Sequence, residues 1–226
     1  LAVPSRFGYE NMYVRDMYER GELGEVYYAK TSAIRRRGTP FGWFTDHKTS
    51  GGGPVIDIGI HRIDAAWYLM GTPKPIRVSA NIFHKIGDYQ TKGVGRWIGT
   101  PCPDNRFDCE DSGAGVIHFE NGAVMLFEAS WALNAEAKEE TIICGAKAGV
   151  NLEPLTVYGE RNDYLSTDGI TVFESNNKFL LEIEHFAEHA LAGDRNTKYP
   201  MEQAVQMQSM LQAIYDSAEA KKEIIL

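Results

Sequence analysis

The segment from Ser50 to Tyr68 constrains the fold of this chain more than any other, because it joins a glycine-rich start to a long apolar run. The pattern predicts one helix, with Pro54 near its first turn. A helix this apolar is normally buried, and polar side chains inside it need partners. Four polar residues recur at spacings of four, three and four, within a sector of roughly 60° on an α-helix: Asp57, His61, Asp64 and Tyr68.

His61 is the candidate proton-transfer group of this stripe, because imidazole titrates near neutral pH. Asp57 lies one turn earlier and can orient the ring and stabilise its charged form. The same two residues can equally form a structural pair in the core. A metal site would need Asp64 as a further ligand, since two protein ligands are too few, and we predict none. These residues alone do not decide between a catalytic and a structural role.

The loop from Gly38 to Gly53 leads into this helix and carries two candidate pocket residues, Trp43 and Asp46. The Trp43 ring can stack on a sugar or a nicotinamide, or it can fill the core. Loops on rigid scaffolds often carry function, which favours the pocket. Arg35 begins the only run of three arginines, in a predicted strand, and we interpret it as pointing into the same pocket.

Composition and charge exclude several classes of protein. A net charge of −8 over 226 residues argues against a nucleic-acid partner. We find no run of about 18 apolar residues and no signal peptide, so we expect neither a membrane span nor secretion. Three cysteines are too few for a disulfide scaffold. Cys102 and Cys109 can pair or bind a metal, but their spacing is wider than that of common zinc sites, and we favour reduced thiols in the cytoplasm.

The order of predicted elements indicates an α+β fold, with one large, open, mostly antiparallel β-sheet and helices on one face. No helices remain for the other face, so we expect the chain to associate with itself through that face. Residues 87–111 read as a long irregular excursion. The predicted helices besides Ser50–Tyr68 are Glu10–Glu19, Leu181–Leu191 and Met201–Lys221, and the predicted strands are Val26–Arg36, Ile76–Ile82, Gly113–Phe119, Ala123–Trp131, Thr141–Cys144, Leu155–Tyr158 and Ile170–Phe173.

Several motifs in the right order resemble the glucose–fructose oxidoreductase/inositol dehydrogenase family, abbreviated Gfo/Idh/MocA. The most specific part is Trp43, Asp46 and the three glycines, followed by Asp57-x-Gly59-x-His61 and Asp64. The similarity begins at Arg6-Phe7 and Gly21-Glu22-Leu23-Gly24-Glu25-Val26, and continues through Asn121-Gly122, Ser130-Trp131, Gly145, Gly149 and Ala213-Ile214-Tyr215-Asp216-Ser217-Ala218. It covers nearly the whole chain.

This resemblance implies an oxidoreductase that transfers hydride between NAD or NADP and a sugar, polyol or related hydroxyl compound. It makes His61 the base assisted by Asp57, and the glycines before the helix a place of close approach to the cofactor domain. The sheet face becomes the oligomer interface. The assignments are His61 and Asp57 as catalytic, Trp43, Asp46, Asp64 and Arg35 as substrate-binding, and Trp43 and Arg6 as cofactor-binding.

The chain also departs from the family. It lacks a Gly-x-Gly-x-x-Gly loop after a strand and the family's lysine–proline element, and it starts without Met inside an apolar segment. We therefore expect residues 1–226 to be the substrate-binding and oligomerisation domain, residues 1–7 to be the remnant of a junction with a dinucleotide-binding domain, and this domain alone to be inactive. The alternative is a non-catalytic sugar-sensing or regulatory protein of the same fold.

Overall fold

A nine-stranded sheet is the central element of the computed structural model, which describes residues 2–95, 97–100, 106–172, 174–195 and 197–226. The α-helices are α1 (Tyr9–Glu19), α2 (His47–Ser50), α3 (Ile60–Leu69), α4 (Lys178–Ala192) and α5 (Met201–Ala220). The strands are β1 (Val26–Ile34), β2 (Pro40–Phe41), β3 (Pro75–Phe83), β4 (Trp97–Ile98), β5 (Ser112–Phe119), β6 (Val124–Ser130), β7 (Lys138–Gly145), β8 (Gly149–Leu152), β9 (Leu155–Arg161), β10 (Tyr164–Gly169) and β11 (Ile224–Ile225).

The large sheet has the strand order β10-β9-β8-β7-β1-β6-β5-β3-β11. Only β1 and β6 run parallel in it, and every other neighbouring pair is antiparallel. Strands β2 and β4 form a separate parallel pair. The predicted α+β class with a mostly antiparallel open sheet is confirmed.

Helices α1, α3 and α5 cover one face of this sheet. The alternation along β6 shows the two sides, since Met125 and Phe127 are fully buried in the core shared with these helices, whereas Leu126 between them is half-exposed. Trp67 of α3 and Ile214 of α5 are also fully buried in that core. Each such side chain contributes about 1.5–3 kcal/mol by leaving water.

The opposite face carries half-exposed side chains in rows that the strand register defines. One row crosses five strands and contains Ile142, Lys30, Leu126, Val116 and Ser79. The three aliphatic residues of this row, Ile142, Leu126 and Val116, are all of intermediate exposure. The described helices therefore leave an extended, partly apolar surface on this side of the sheet.

Five of the described strands are absent from the prediction: β2, β4, β8, β10 and β11. The chain adds β10 at residues 164–169, whereas residues 170–172, where a strand was predicted, have no regular structure and Phe173 lies outside the described residues. Strand β10 lacks an apolar alternation because it is an exposed edge strand, paired only with β9 through a turn at Asn162 and Asp163 with positive φ. Strand β8 has only four residues and begins at Gly149.

Across the residues that the structure describes, we find no helix with the length and apolarity needed to span a membrane.

Candidate active site

The predicted helix Ser50–Tyr68 is divided in the structure. Helix α2 ends at Gly51, which adopts the left-handed conformation with φ of 79°. The chain then bends and forms a π-helical turn at Val55–Gly59 before α3 begins at Ile60. A wheel drawn for one continuous α-helix therefore misplaces Asp57, because a π-turn holds an extra residue per turn. Such turns occur frequently at functional sites.

His61 lies at the start of α3 and is exposed. It lines an open cavity of about 500 Å³. Arg35, just beyond the end of β1, lines the same cavity and donates a hydrogen bond from Nη1 to the Gly38 carbonyl at 3.1 Å. The structure thus brings together two of the predicted site residues, a base candidate and a guanidinium, at one polar opening.

Asp57 is held by a residue from another part of the chain. The indole Nε1 of Trp131, which is fully buried, donates to Asp57 Oδ2 at 2.8 Å. Among the described hydrogen bonds, none joins Asp57 to His61. Asp57 is half-buried and lies one turn before His61. Trp131 fixes the orientation of that carboxylate.

Arg6 and Asp64, which the sequence predicts to bind cofactor and substrate, bind each other in the interior. Arg6 donates from Nη2 and Nε to Asp64 Oδ1 and Oδ2 at 2.6 and 2.9 Å, and both side chains are 0% exposed. Burial raises the pKa of the Asp64 carboxyl, and the Arg6 hydrogen bond and charge oppose that shift. With both groups enclosed and bonded to each other, the placement supports a structural role.

Tyr68, the last residue of the predicted stripe, packs beside this pair. The Arg6 guanidinium lies 4.7 Å from its ring centroid and that of Arg15 lies 4.8 Å away. Burial is the main cause of a raised pKa of the Tyr68 hydroxyl, and the charges of Arg15 and Arg6 counteract it. Tyr68 is therefore an aromatic partner of two guanidinium groups.

Trp43 and Asp46 lie apart from the His61 cavity and line no part of it. Trp43 is 40% exposed on a short 3₁₀ turn and stacks on Phe44 at a centroid distance of 4.0 Å. Asp46 is almost buried, and its Oδ1 accepts from the Lys48 amide as the N-cap of α2. The exposed Trp43 ring is still available to stack on a ligand, whereas Asp46 shapes the loop.

A charged cluster beside His61 has no counterpart in the sequence-based prediction. Arg62 is bonded to Glu139 of β7 and to Glu153 after β8, and all three line the cavity. The one sequence signal for this cluster is the position of Arg62 next to His61. The two partners of Arg62 lie 77 and 91 residues away in the sequence, beyond any local pattern. The cluster fixes the side of the cavity formed by the sheet.

Glu110 explains the glycines before the π-helical turn. Its carboxylate accepts from the amides of Gly53 and Val55 and from the hydroxyl of Tyr215, at 2.8, 3.2 and 2.8 Å. A Cβ on Gly53 would lie 2.1 Å from the Glu110 carbonyl oxygen, and one on Gly52 would lie 2.2 Å from the Tyr215 hydroxyl. These glycines permit close packing within this chain.

Gly53→Ala should therefore lower the free energy of unfolding by about 2–3 kcal/mol, because the methyl group meets backbone that cannot move aside cheaply. Chemical denaturation measures this change. The control is Gly159→Ala, where the nearest atoms to the new Cβ would be 3.7 and 4.0 Å away, and we expect it within about 0.5 kcal/mol of wild type. Equal losses in both variants would refute the packing argument.

Cys109 is buried and 3.3 Å from the Ser50 hydroxyl, and burial raises the pKa of its thiol to about 11. Cys102, with which it could pair, lies outside the described residues. Within the described ranges, no group of three His, Cys, Asp or Glu side chains is placed to hold a metal ion. The Cys109 thiol is therefore largely protonated and unreactive at neutral pH.

Comparison with known proteins identifies what the chain is similar to. Residues 15–226 match the model of the oxidoreductase family, C-terminal alpha/beta domain. The chain is 36% identical over 228 aligned positions to a D-glucoside 3-dehydrogenase of Escherichia coli K12, covering 98% of this chain and 62% of that protein. It thus spans about three fifths of the length of this curated relative.

Solved structures share the fold. An aldose–aldose oxidoreductase from Caulobacter crescentus, complexed with glycerol, superposes with a TM-score of 0.75 at 21% identity, covering 99% of this chain and 62% of that chain. A levoglucosan dehydrogenase, in complex with NADH and L-sorbose, superposes with a TM-score of 0.76 at 18% identity, covering 99% and 64%. At these identities the likeness is one of fold.

Proposed function

This chain belongs to the Gfo/Idh/MocA oxidoreductase family as its C-terminal alpha/beta domain, and from that premise we propose that it is the substrate-binding half of an NAD(P)-dependent dehydrogenase acting on a sugar or related hydroxyl compound. The observation that carries the proposal is the exposed His61 at the mouth of a polar cavity, one turn after a carboxylate fixed by Trp131. The curated relative named D-glucoside 3-dehydrogenase supports the substrate class.

In the proposed reaction, His61 accepts the proton of a substrate hydroxyl while the carbon bearing it becomes a carbonyl. Asp57 stabilises the imidazolium that forms. Arg35, in the same cavity, donates hydrogen bonds to further substrate oxygens. A nicotinamide dinucleotide bound beside the cavity would supply the acceptor for the hydride that leaves that carbon. Proton and hydride together account for the two hydrogens that leave the alcohol.

The chain's own residues fit only part of a nicotinamide dinucleotide. The exposed Trp43 ring offers a stacking surface, whereas Arg6 is fully buried and bonded to Asp64, Lys198 and Gln203, so its guanidinium is not accessible to a phosphate. The sequence carries no glycine-rich phosphate loop. We propose that the dinucleotide is held mainly by a further domain of the same polypeptide, in the cytoplasm, and that the choice between NAD and NADP is made there.

An assay of hydride transfer over a panel of glucosides, free sugars and polyols tests this function. The complete polypeptide in which the chain occurs should reduce NAD or NADP with at least one substrate, whereas residues 1–226 alone should show no turnover and weak cofactor binding. Robust activity of residues 1–226 alone would contradict the proposal that a further domain is needed to hold the dinucleotide. Tight sugar binding without turnover in the complete polypeptide would favour a sensor instead.

We also propose that the uncovered sheet face forms a homodimer or homotetramer. Its aliphatic row across β7, β6 and β5 is half-exposed in one copy, and pairing two such faces would remove it from water.

Leu126→Glu should convert the oligomer to monomers in light scattering, because it places a charge at the centre of that row. Tyr9→Glu, on the helix-covered side, should leave the molar mass unchanged. An unaltered mass for Leu126→Glu would refute this interface.

A further inference from the structure

One wall of the His61 cavity is an ion cluster. Arg62 follows His61 directly in α3 and donates from Nη1 to Glu153 Oε1 and from Nη2 to Glu139 Oε2. All four residues line the cavity. We call Arg62, Glu139 and Glu153 the Arg62 cluster. Because it combines one guanidinium with two carboxylates, the cluster has a net charge of −1.

Three parts of the fold hold this cluster in place. The sheet register sets Glu139 of β7 opposite Ala33 of β1, which also lines the cavity. Glu153 lies in the turn between β8 and β9, where its carbonyl accepts from Asn151 Nδ2 at 3.1 Å. The Arg62 side chain is only 20% exposed, against 68% for Glu139 and 33% for Glu153. A ligand in the cavity therefore meets the carboxylates more readily than the guanidinium.

The other charged groups of the cavity do not make it positive. Arg35 and Lys178 are cations and Glu10 is an anion. Among the described residues that line the cavity, three cations therefore stand against three anions once the Arg62 cluster is included. His61 adds no charge, since it must be neutral to accept a proton. A cleft that attracts an anion is lined by an excess of positive charge, and on this count the described lining carries none.

We propose that Glu139 and Glu153 are specificity-determining residues that restrict the His61 cavity to uncharged sugars and polyols, an inference that rests on the proposed function and narrows its substrate class. Both carboxylates occupy donors of Arg62 that would otherwise hold a carboxylate or phosphate as a two-pronged partner. Their own negative charge also repels an anionic group placed beside His61. Sugar acids and sugar phosphates that carry their charge on the ring to be oxidised are excluded.

The same carboxylates remain suited to hydroxyl groups. Glu139 is the most exposed member of the cluster, and an ionised carboxylate has about four lone-pair sites, of which Arg62 Nη2 occupies one. A ring hydroxyl can donate a hydrogen bond to the remaining sites, whereas the carboxylate of a sugar acid has no proton to donate at neutral pH. The cluster therefore discriminates by charge and still accepts an uncharged sugar.

A matched pair of sugars tests the proposal in the complete polypeptide. Methyl glucoside and methyl glucuronide differ only in the replacement of the primary alcohol by a carboxylate. In the wild type, kcat/KM for the glucuronide should be at least about 100-fold lower than for the glucoside. Glu139→Gln combined with Glu153→Gln should raise the glucuronide-to-glucoside ratio at least about tenfold, because it removes two negative charges and frees Arg62. Taking the ratio within one preparation cancels any loss of folded protein.

Further variants show whether the change comes from the Arg62 cluster. Glu136→Gln combined with Glu160→Gln removes the same charge from two exposed residues outside the cavity lining, and should leave the ratio within about twofold of wild type. Adding Arg62→Gln to the Glu139 and Glu153 substitutions should remove most of the gain, because the freed guanidinium is then absent. Glu139→Gln alone, at the more exposed partner, should give a smaller gain in the same direction.

Each outcome supports or overturns the proposal. Equal use of both sugars by the wild type, an unchanged ratio in the double variant, or a full gain without Arg62 would overturn it. The dissociation constants of the two sugars give the same ratio without turnover. A charge preference in binding without hydride transfer would support the specificity and refute the dehydrogenase, whereas hydride transfer with no charge preference would refute the specificity alone. A cavity that binds neither sugar would overturn the specificity as well.

Discussion

His61→Ala in the complete polypeptide should lower kcat by about 10²–10⁴-fold, the range expected when a general base is removed. The structure supports this because His61 is exposed at the cavity and forms none of the described hydrogen bonds, so its ring is available to a substrate hydroxyl. The dissociation constant of NAD or NADP should stay unchanged, since we propose that a further domain holds the dinucleotide. Steady-state kinetics and cofactor titration measure the two quantities.

The matched control is His47→Ala. His47 is also an exposed histidine at the start of a helix, but it lies outside the cavity, and we assign it no part in binding. It should retain kcat within about twofold, the change expected of a surface substitution. If His61→Ala kept the full rate, the assigned base would be wrong. A loss confined to KM would make His61 a binding residue.

The arrangement of His61 and Asp57 shows how far the sequence leads and where it stops. Their spacing predicted a shared side of one helix, and both do lie at the entrance to α3. The spacing did not reveal the π-helical turn at residues 55–59, because such turns depend on packing. Gly53 packs against Glu110, which caps the turn. The partner of Asp57, Trp131, is 74 residues away, beyond any local pattern.

The strands of the sheet show the same limit of local sequence patterns. Strands with an apolar alternation, such as β3, β5 and β6, were predicted close to their true bounds, because one of their faces is buried in a core. Strand β10 carries no such alternation, since its side chains have little core to face, and it was missed. Helix α4 was found from its apolar period, but the period alone did not show that its apolar side faces solvent.

The buried pair Arg6–Asp64 should give the largest effect on stability. Besides its two bonds to Asp64, Arg6 donates to the Lys198 carbonyl and to Gln203 Oε1 at 2.7 and 2.6 Å, and its guanidinium lies over the Tyr199 ring at 4.4 Å. Asp64→Ala leaves this guanidinium charged, buried and without its counter-ion, because arginine cannot lose its proton in a protein. We expect a loss of about 3–5 kcal/mol in the free energy of unfolding, measured by urea denaturation.

The double variant Arg6→Met with Asp64→Leu should lose less than Asp64→Ala alone, because it removes both charges together and replaces them with apolar volume. The exposed pair Arg161–Asp168, with side chains 71% and 43% exposed, provides the control, and Asp168→Ala should cost less than about 1 kcal/mol. If Asp64 bound substrate instead, Asp64→Ala would raise KM while stability stayed near wild type. A stability loss that the double variant partly restores identifies the pair as the element that fixes the N-terminal segment to α3 and to the start of α5.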